Sequence, residues 1–251
     1  MIKNSFIFLD KISHRTEQSL WHQNIHTWDN FIEKKQIKGI SNTRKIFYDQ
    51  KINHAKQAVI EDNAEFFAKH FPNSEHWRLY NYFKDQVCFL DIETSGYYGD
   101  ITVIGIYDGK DTKTMVKGKN LDPCLLKNLL SQYKMIITFN GSSFDLPVIK
   151  RYYPNSVPNV LHLDLRHPLA KLGFSGGLKR IEKQLGIKRA EEVSNVNGAD
   201  AVYLWQQYRA TGNEKYINLL VQYNEEDIIN LKPLADFVYA KMKKNLNQFF
   251  E

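Results

Sequence analysis

Asp91 and Glu93 stand two residues apart in Val87-Cys88-Phe89-Leu90-Asp91-Ile92-Glu93-Thr94. A third acid, Asp145, closes Thr138-Phe139-Asn140-Gly141-Ser142-Ser143-Phe144-Asp145, and Tyr223 and Asp227 lie four apart near the C-terminus. Carboxylates and a phenol in this set suit phosphodiester hydrolysis. That reaction must activate a water near neutral pH and stabilise charge on the attacked phosphorus and the leaving oxygen. Two divalent ions about 3.5–4 Å apart do both. Hard ions such as Mg²⁺ or Mn²⁺ take oxygen ligands, so clustered carboxylates are the donors such a site needs. A tyrosine hydroxyl one helical turn from a ligand is placed to orient the attacking water.

The elements that must position these groups are legible around them. Val87–Leu90 is a short apolar run that predicts a buried strand. Side chains at i and i+2 of a strand point the same way, so Asp91 and Glu93 converge at its end. Met135–Thr138 predicts a second strand leading to Asp145. Tyr223 and Asp227, at i and i+4 of a predicted helix, share one face. Strands are expected near Ile101–Tyr107 and Thr112–Val116, with Gly96, Gly99 and Asp108-Gly109 as turns, giving an antiparallel three-strand meander. Helices over Leu121–Tyr133 and Phe144–Tyr152, a strand over Val160–Leu163 and a mostly helical stretch from Leu178 complete the pattern. An antiparallel meander followed by strand–helix alternation predicts an α/β fold, a mixed sheet flanked by helices.

Residues 1–85 read as a separate helical N-terminal domain, with residues 86–251 as the α/β domain. Glu17, Leu20, Trp21 and Ile25 keep a helical spacing, and Thr27 is the expected N-cap of a second helix. A longer helix is expected from about Ile52 to Phe71, ended by Pro72. Trp77, Tyr80 and Phe83 form an aromatic stripe expected to pack in a core.

Net charge is +6 with a sequence pI near 9.0, which fits a polyanionic partner. The first 85 residues hold 13 basic and 10 acidic side chains, so the excess is spread along the chain with no basic arm. Cys88 and Cys124 have no CxxC spacing, which excludes a zinc ribbon and predicts reduced core thiols. The longest early apolar run, Phe6-Ile7-Phe8-Leu9, is too short for a membrane span or a signal-peptide core, so the expected compartment is cytoplasmic.

The ordered set Asp91-x-Glu93-Thr94, Asn140-x₄-Asp145 and Tyr223-x₃-Asp227 resembles the tyrosine branch of the DEDD exonuclease superfamily. Phe139–Pro147 also resembles the exonuclease part of family B DNA polymerases. The nearest likeness is to the YprB-like ribonuclease-H-like exonucleases. It is carried further by His162-Leu163-Asp164-Leu165, by Gly177-Leu178-Lys179-x-Ile181-Glu182-x₂-Leu185-Gly186-Ile187 and by Asp200-Ala201-Val202-x-Leu204-Trp205. The likeness covers about Val87 to Phe237. It implies a ribonuclease-H-like domain with 3′→5′ exonuclease activity on single-stranded DNA or RNA ends, using two Mg²⁺ or Mn²⁺ ions. By the same resemblance Asp91 bridges both ions, Glu93 and Asp227 hold the ion beside the nucleophile, and Asp145 acts on the second. Tyr223 orients the water, and Thr94 and Asn140 contact the scissile nucleotide. Tyr97 and Phe144 are available to stack on terminal bases.

Plainer uses compete for each residue. A single Asp is often a cap or turn residue, and a tyrosine on an amphipathic helix commonly packs with its hydroxyl at the rim. Asp164 reads equally as a helix cap or a site neighbour. Glu225 and Glu226 read as solvated, and His162 and His167 as core or surface residues. Lys179, Arg180, Lys188 and Arg189 form a basic cluster that serves phosphate or a solvated helix face alike. Phe8–Trp21 resembles a degenerate helix-hairpin-helix element in which Lys11-Ile12-Ser13 replaces the glycines that bring backbone N–H groups to phosphate. Two rival functions remain: a structure-specific nuclease, and a non-catalytic nucleic-acid-binding module. The full carboxylate set argues against the latter, because buried acids without metal repel one another.

Overall fold

The computed structural model describes residues 1–96 and 99–249. The described residues divide into two compact units, one of residues 1–84, 159–161 and 239–249, the other of residues 85–96, 99–158 and 162–238.

The first unit is helical. Ser13 accepts from the Thr16 amide and starts α1 (His14–Trp21), while a reciprocal Thr27–Asn30 capping box starts α2 (Trp28–Glu33). The helix expected over Ile52–Phe71 is instead two: α3 (Asn42–Ile60) and α4 (Ala64–His70). The break lies at Asp62, whose φ is 53°, and at Asn63, whose side chain caps α4 through the Phe66 amide. Such residues tolerate left-handed backbone and supply a cap, so the chain turns where apolar spacing alone runs on. Trp21, Trp28, Phe31, Phe67 and Trp77 fill the core of this unit. Arg78 is buried as well, ion-paired with Glu17 (2.9 Å) and Glu75 (2.6 Å). Lys11, in the hairpin-like segment, has a φ of 62°.

The second unit is built on a five-stranded mixed sheet in the order β3-β2-β1-β4-β5. Its strands are β1 (Val87–Thr94), β2 (Ile101–Tyr107), β3 (Thr112–Val116), β4 (Met135–Thr138) and β5 (Leu161–Asp164). β1, β2 and β3 form the antiparallel meander, and β4 joins β1 in parallel. Cys88, Phe89 and Leu90 are buried, as central-strand residues covered on both faces must be. The strand continues through Asp91 and Glu93 because β2 pairs with it there: Asp91 lies opposite Gly105 and Glu93 opposite Val103. A register shift between Glu93 and Thr94 then ends the regular ladder.

Helices α5 (Pro123–Leu130), α6 (Asp145–Tyr152), α7 (Arg166–Lys171), α8 (Leu178–Leu185), α9 (Glu191–Ser194), α10 (Gly198–Thr211) and α11 (Glu214–Asn247) follow in the chain. From α11, Ile217, Leu220 and Tyr223 join α10's Leu204 and Trp205 and the strand residues Val103 and Val116 in one apolar cluster. Both cysteines are free, but only Cys88 is in the core; Cys124 is exposed near the start of α5, a correction to the expected pair of core thiols. Among the described residues no helix is long and apolar enough to cross a membrane.

Candidate metal centre

β1 and α11 bring three of the predicted acids together. Asp91, Glu93 and Asp227 each offer a carboxylate oxygen, all within 4.8 Å of one another. Asp145, in the first turn of α6, stands outside that group. Its Oδ1 accepts from the Ile92 amide at 3.1 Å, which ties α6 to the strand between the two β1 acids. Tyr223 is buried one helical turn before Asp227. Among the described residues its hydroxyl makes no hydrogen bond.

The electrostatics of this cluster follow from like charges in a shielded place. Burial, then the charges of Asp145, Asp227 and Glu93, push the Asp91 carboxyl well above the usual range, while the Asn224 hydrogen bond opposes them. Glu93 is raised well above its usual range by burial and by Asp227 and Asp145, against the pull of Arg189. Asp145 is raised to about 7 by burial, with its own and the Ile92 amides opposing and Asp164 and Asp227 adding to the rise. Burial also lifts Asp227 to about 6, although Arg189 holds it down. Tyr223 is raised by burial and by Asp227, Glu93 and Asp91, so its hydroxyl keeps its proton. Neutral, it can donate to or accept from a water but cannot serve as a ready base.

These residues fit a divalent ion. The donors are hard carboxylate oxygens at close range, and their mutual repulsion is what such a cation relieves. Asp91, Glu93 and Asp227 are the residues that would hold it.

Several groups that sequence reasoning did not place in the site surround it. Asn224, fully buried on α11, donates from Nδ2 to Asp91 Oδ2 at 2.9 Å. Its Oδ1 has no hydrogen-bond partner among the described residues and packs against Gly105, where a Cβ would come within 2.1 Å. Arg189 is ion-paired with Asp227 and grips Glu182 with two bonds, Nε to Oε2 at 2.6 Å and Nη2 to Oε1 at 2.7 Å. Asn230 in turn donates to Glu182 Oε1 at 3.1 Å. Glu182, 1% exposed at a core position of α8, was the readable signal, since a buried acid requires a partner. Arg189 therefore leaves the basic cluster: its side chain is 5% exposed, and its Nη1 has no acceptor among the described residues.

The remaining predicted residues make local hydrogen bonds of their own. Asp164 organises the loop before α6, accepting from the amides of Asn140 (2.7 Å), Ser142 (3.0 Å) and Arg166 (3.1 Å) and from the Ser142 hydroxyl. Burial alone would raise its pKa, but these donors outweigh burial and hold it below the usual value. Asn140 sits at a φ of 67° with its side-chain oxygen bonded to Arg166. Thr94 donates to the Gly96 carbonyl at 3.0 Å. His162 pairs with Thr138 at 2.9 Å, and Glu225, expected to be solvated, accepts from Thr114 at 2.8 Å. Tyr97 lies outside the described residues, and Phe144 immediately precedes α6.

Residues 88–239 match the family model described as RNase_H superfamily. Among solved structures the chain is similar to the family B DNA polymerase from the hyperthermophilic archaeon Pyrobaculum calidifontis, at 14% identity and a TM-score of 0.49. That match covers 61% of this chain and 24% of the polymerase chain, so the chain spans about a quarter of that protein's length. No curated protein matches the chain.

Proposed function

This chain belongs to the RNase_H superfamily, and from that membership and its acidic centre we propose that it is a metal-dependent 3′→5′ exonuclease of the DEDD tyrosine branch, YprB-like in kind. Its substrate in this reading is a single-stranded DNA or RNA end, and its compartment is cytoplasmic. The observation that carries the proposal is the convergence of Asp91, Glu93 and Asp227, oxygens within 4.8 Å, beside Tyr223.

Two Mg²⁺ or Mn²⁺ ions bound there would supply an activated water and charge stabilisation at the leaving oxygen. The protein's own part is positional. Asp91, Glu93 and Asp227 present oxygens from a strand and a helix that are both packed in place. Asp145, whose Oδ1 is held by the Ile92 amide, would serve the second ion. Asn224 fixes Asp91, and the Arg189–Glu182 pair fixes Asp227. Tyr223, kept neutral, orients the water. Thr94 and Asn140 meet the scissile nucleotide, Asn140 on a loop stiffened by Asp164. In this reading the exonuclease domain expected over residues 86–251 is carried by the unit of residues 85–96, 99–158 and 162–238, and the helical domain expected over residues 1–85 by the other unit.

The test is cleavage of end-labelled single-stranded, duplex and branched oligonucleotides with Mg²⁺ or Mn²⁺, comparing wild type with Asp91→Ala. Stepwise shortening from the 3′ end, lost in the variant, is expected. A single internal cut would transfer the assignment to a structure-specific nuclease, and metal-dependent cleavage of nothing would leave a binding module.

A further inference from the structure

A cavity of about 430 Å³ opens beside the acidic centre, between α8 and the chain that follows it. Lys179, Lys183, Lys188 and Arg189 line it, together with Glu182 and Gly186. Its size falls within the roughly 300–1,000 Å³ of small-ligand sites. Arg189 and Glu182 neutralise each other at 2.6 Å, so the three lysines set the charge of the cavity. Lys179 is already anchored, its Nζ donating to the Val193 carbonyl at 3.1 Å and the Ser194 carbonyl at 3.3 Å. Lys183 and Lys188 are exposed and have no ion-pair partner among the described residues.

A solvated helix face does not account for this arrangement. Lys183 near the C-terminus of α8 complements the helix dipole, but Lys179 sits in the first turn, where a cation is disfavoured. Lys188 and Arg189 are not on the helix at all. Gly186, at a φ of 72°, caps α8 in the left-handed conformation, and the chain beyond it supplies the remaining cations of the same concave surface. The cavity also shares a wall with the acidic centre: Arg189 lines it and is bonded to Asp227, and the Lys179 ammonium lies 5.0 Å from the Tyr223 ring centroid.

We propose that this cavity, lined by Lys179, Lys183 and Lys188, is a phosphate-backbone site that grips the nucleic-acid strand away from the scissile bond. The proposal rests on the exonuclease reading for what happens at the acids, but strand binding can be measured without turnover. It commits the site to a polynucleotide; a free mononucleotide is the outcome to be distinguished.

The experiment compares wild type, Lys183→Ala/Lys188→Ala and Lys183→Arg/Lys188→Arg. Fluorescence anisotropy with a labelled single-stranded 20-mer in EDTA gives affinity across a salt series. Loss of two contacts should flatten the log affinity against log salt slope by about 1.4, at roughly 0.7 for each single-strand phosphate. The arginine variant should bind like wild type, which separates charge from packing. With Mn²⁺, the alanine variant should show a raised KM on the 20-mer while hydrolysing thymidine 5′-monophosphate p-nitrophenyl ester, which has no strand to grip, like wild type. Unchanged affinity and salt slope in the alanine variant would overturn the proposal. So would thymidine monophosphate binding as tightly as the 20-mer, which would make the cavity a mononucleotide site. Absence of hydrolysis by wild type, with the difference in strand binding intact, would defeat the exonuclease reading and leave this one standing.

Discussion

Gly105→Ala should be destabilising, although its backbone gives no reason for it. Gly105 lies inside β2, outside the left-handed region, and replacing a mid-strand glycine by alanine ordinarily stabilises by about 0.5–1 kcal/mol. Here the added Cβ would come within 2.1 Å of Asn224 Oδ1, 3.0 Å of its Cγ and 3.1 Å of Ile228 Cδ1. Neither neighbour has room to retreat, since both are fully buried. Overpacking of this kind costs about 1–3 kcal/mol. Displacing Asn224 also breaks its bond to Asp91, and a hydrogen bond to a charged group contributes about 1.5–3 kcal/mol. Because one displacement produces both losses, we expect a net cost of about 2–4 kcal/mol rather than the full sum. Nuclease activity should fall at least about ten-fold as Asp91 loses its anchor, since 1.4 kcal/mol is a factor of ten. Urea unfolding of wild type, Gly105→Ala, Asn224→Ala and the double variant measures this. Asn224→Ala opens the space, so the Gly105→Ala cost should shrink by more than about 1 kcal/mol in that background. A Gly105→Ala protein as stable as wild type, or strict additivity in the cycle, would refute the packing argument.

Other perturbations probe the same centre. A carboxyl raised on folding binds more protons in the folded than in the unfolded chain, so stability falls as pH rises from the unfolded to the folded pKa. With Asp227 at about 6 and Asp145 at about 7, against about 4 unfolded, metal-free protein should lose a few kcal/mol between about pH 4 and pH 7. Urea unfolding in EDTA should therefore give a more stable protein at pH 5 than at pH 8, with saturating Mn²⁺ restoring stability at pH 8. Equal stability at both pH values in EDTA would contradict the raised pKa values. Arg189→Met strands Glu182 and Asp227 in buried positions and should cost about 3–5 kcal/mol in urea unfolding. Arg189→Lys should recover only part of that, because the two-pronged grip on Glu182 is lost. Tyr223→Phe should lower kcat by about ten-fold or more while Mn²⁺ affinity by calorimetry stays at the wild-type value; unchanged turnover would reduce Tyr223 to packing.

The β1 and β4 runs, the meander turns and the positions of the acids were readable because each depends on neighbours in the chain. Val87–Leu90 announces a buried strand, and the Tyr223–Asp227 spacing announces a shared helix face, without knowledge of what packs against either. The interruption at Asp62 and Asn63 is hidden from a spacing argument, because apolar spacing continues across it while the capping side chain starts a new helix. The supporting groups were out of reach for a different reason. Gly105 matters through the β1–β2 register that sets it opposite Asp91, and through Asn224, 119 residues later in the chain, which packs on it. Arg189 looks like its basic neighbours until Glu182 and Asp227, 38 residues beyond it, are seen to bury it. Glu182 alone leaves a trace: an acid at i+4 from Leu178, among the apolar positions Leu178, Ile181 and Leu185 of α8.

The central claim is that Asp91, Glu93 and Asp227 form a divalent-cation site. Anomalous diffraction from crystals soaked in Mn²⁺ tests it directly. A manganese peak among these carboxylates, absent from Asp91→Ala crystals, is the result this account predicts. No peak in wild type, with the Arg189–Asp227 ion pair intact and the carboxylates unliganded, would contradict it.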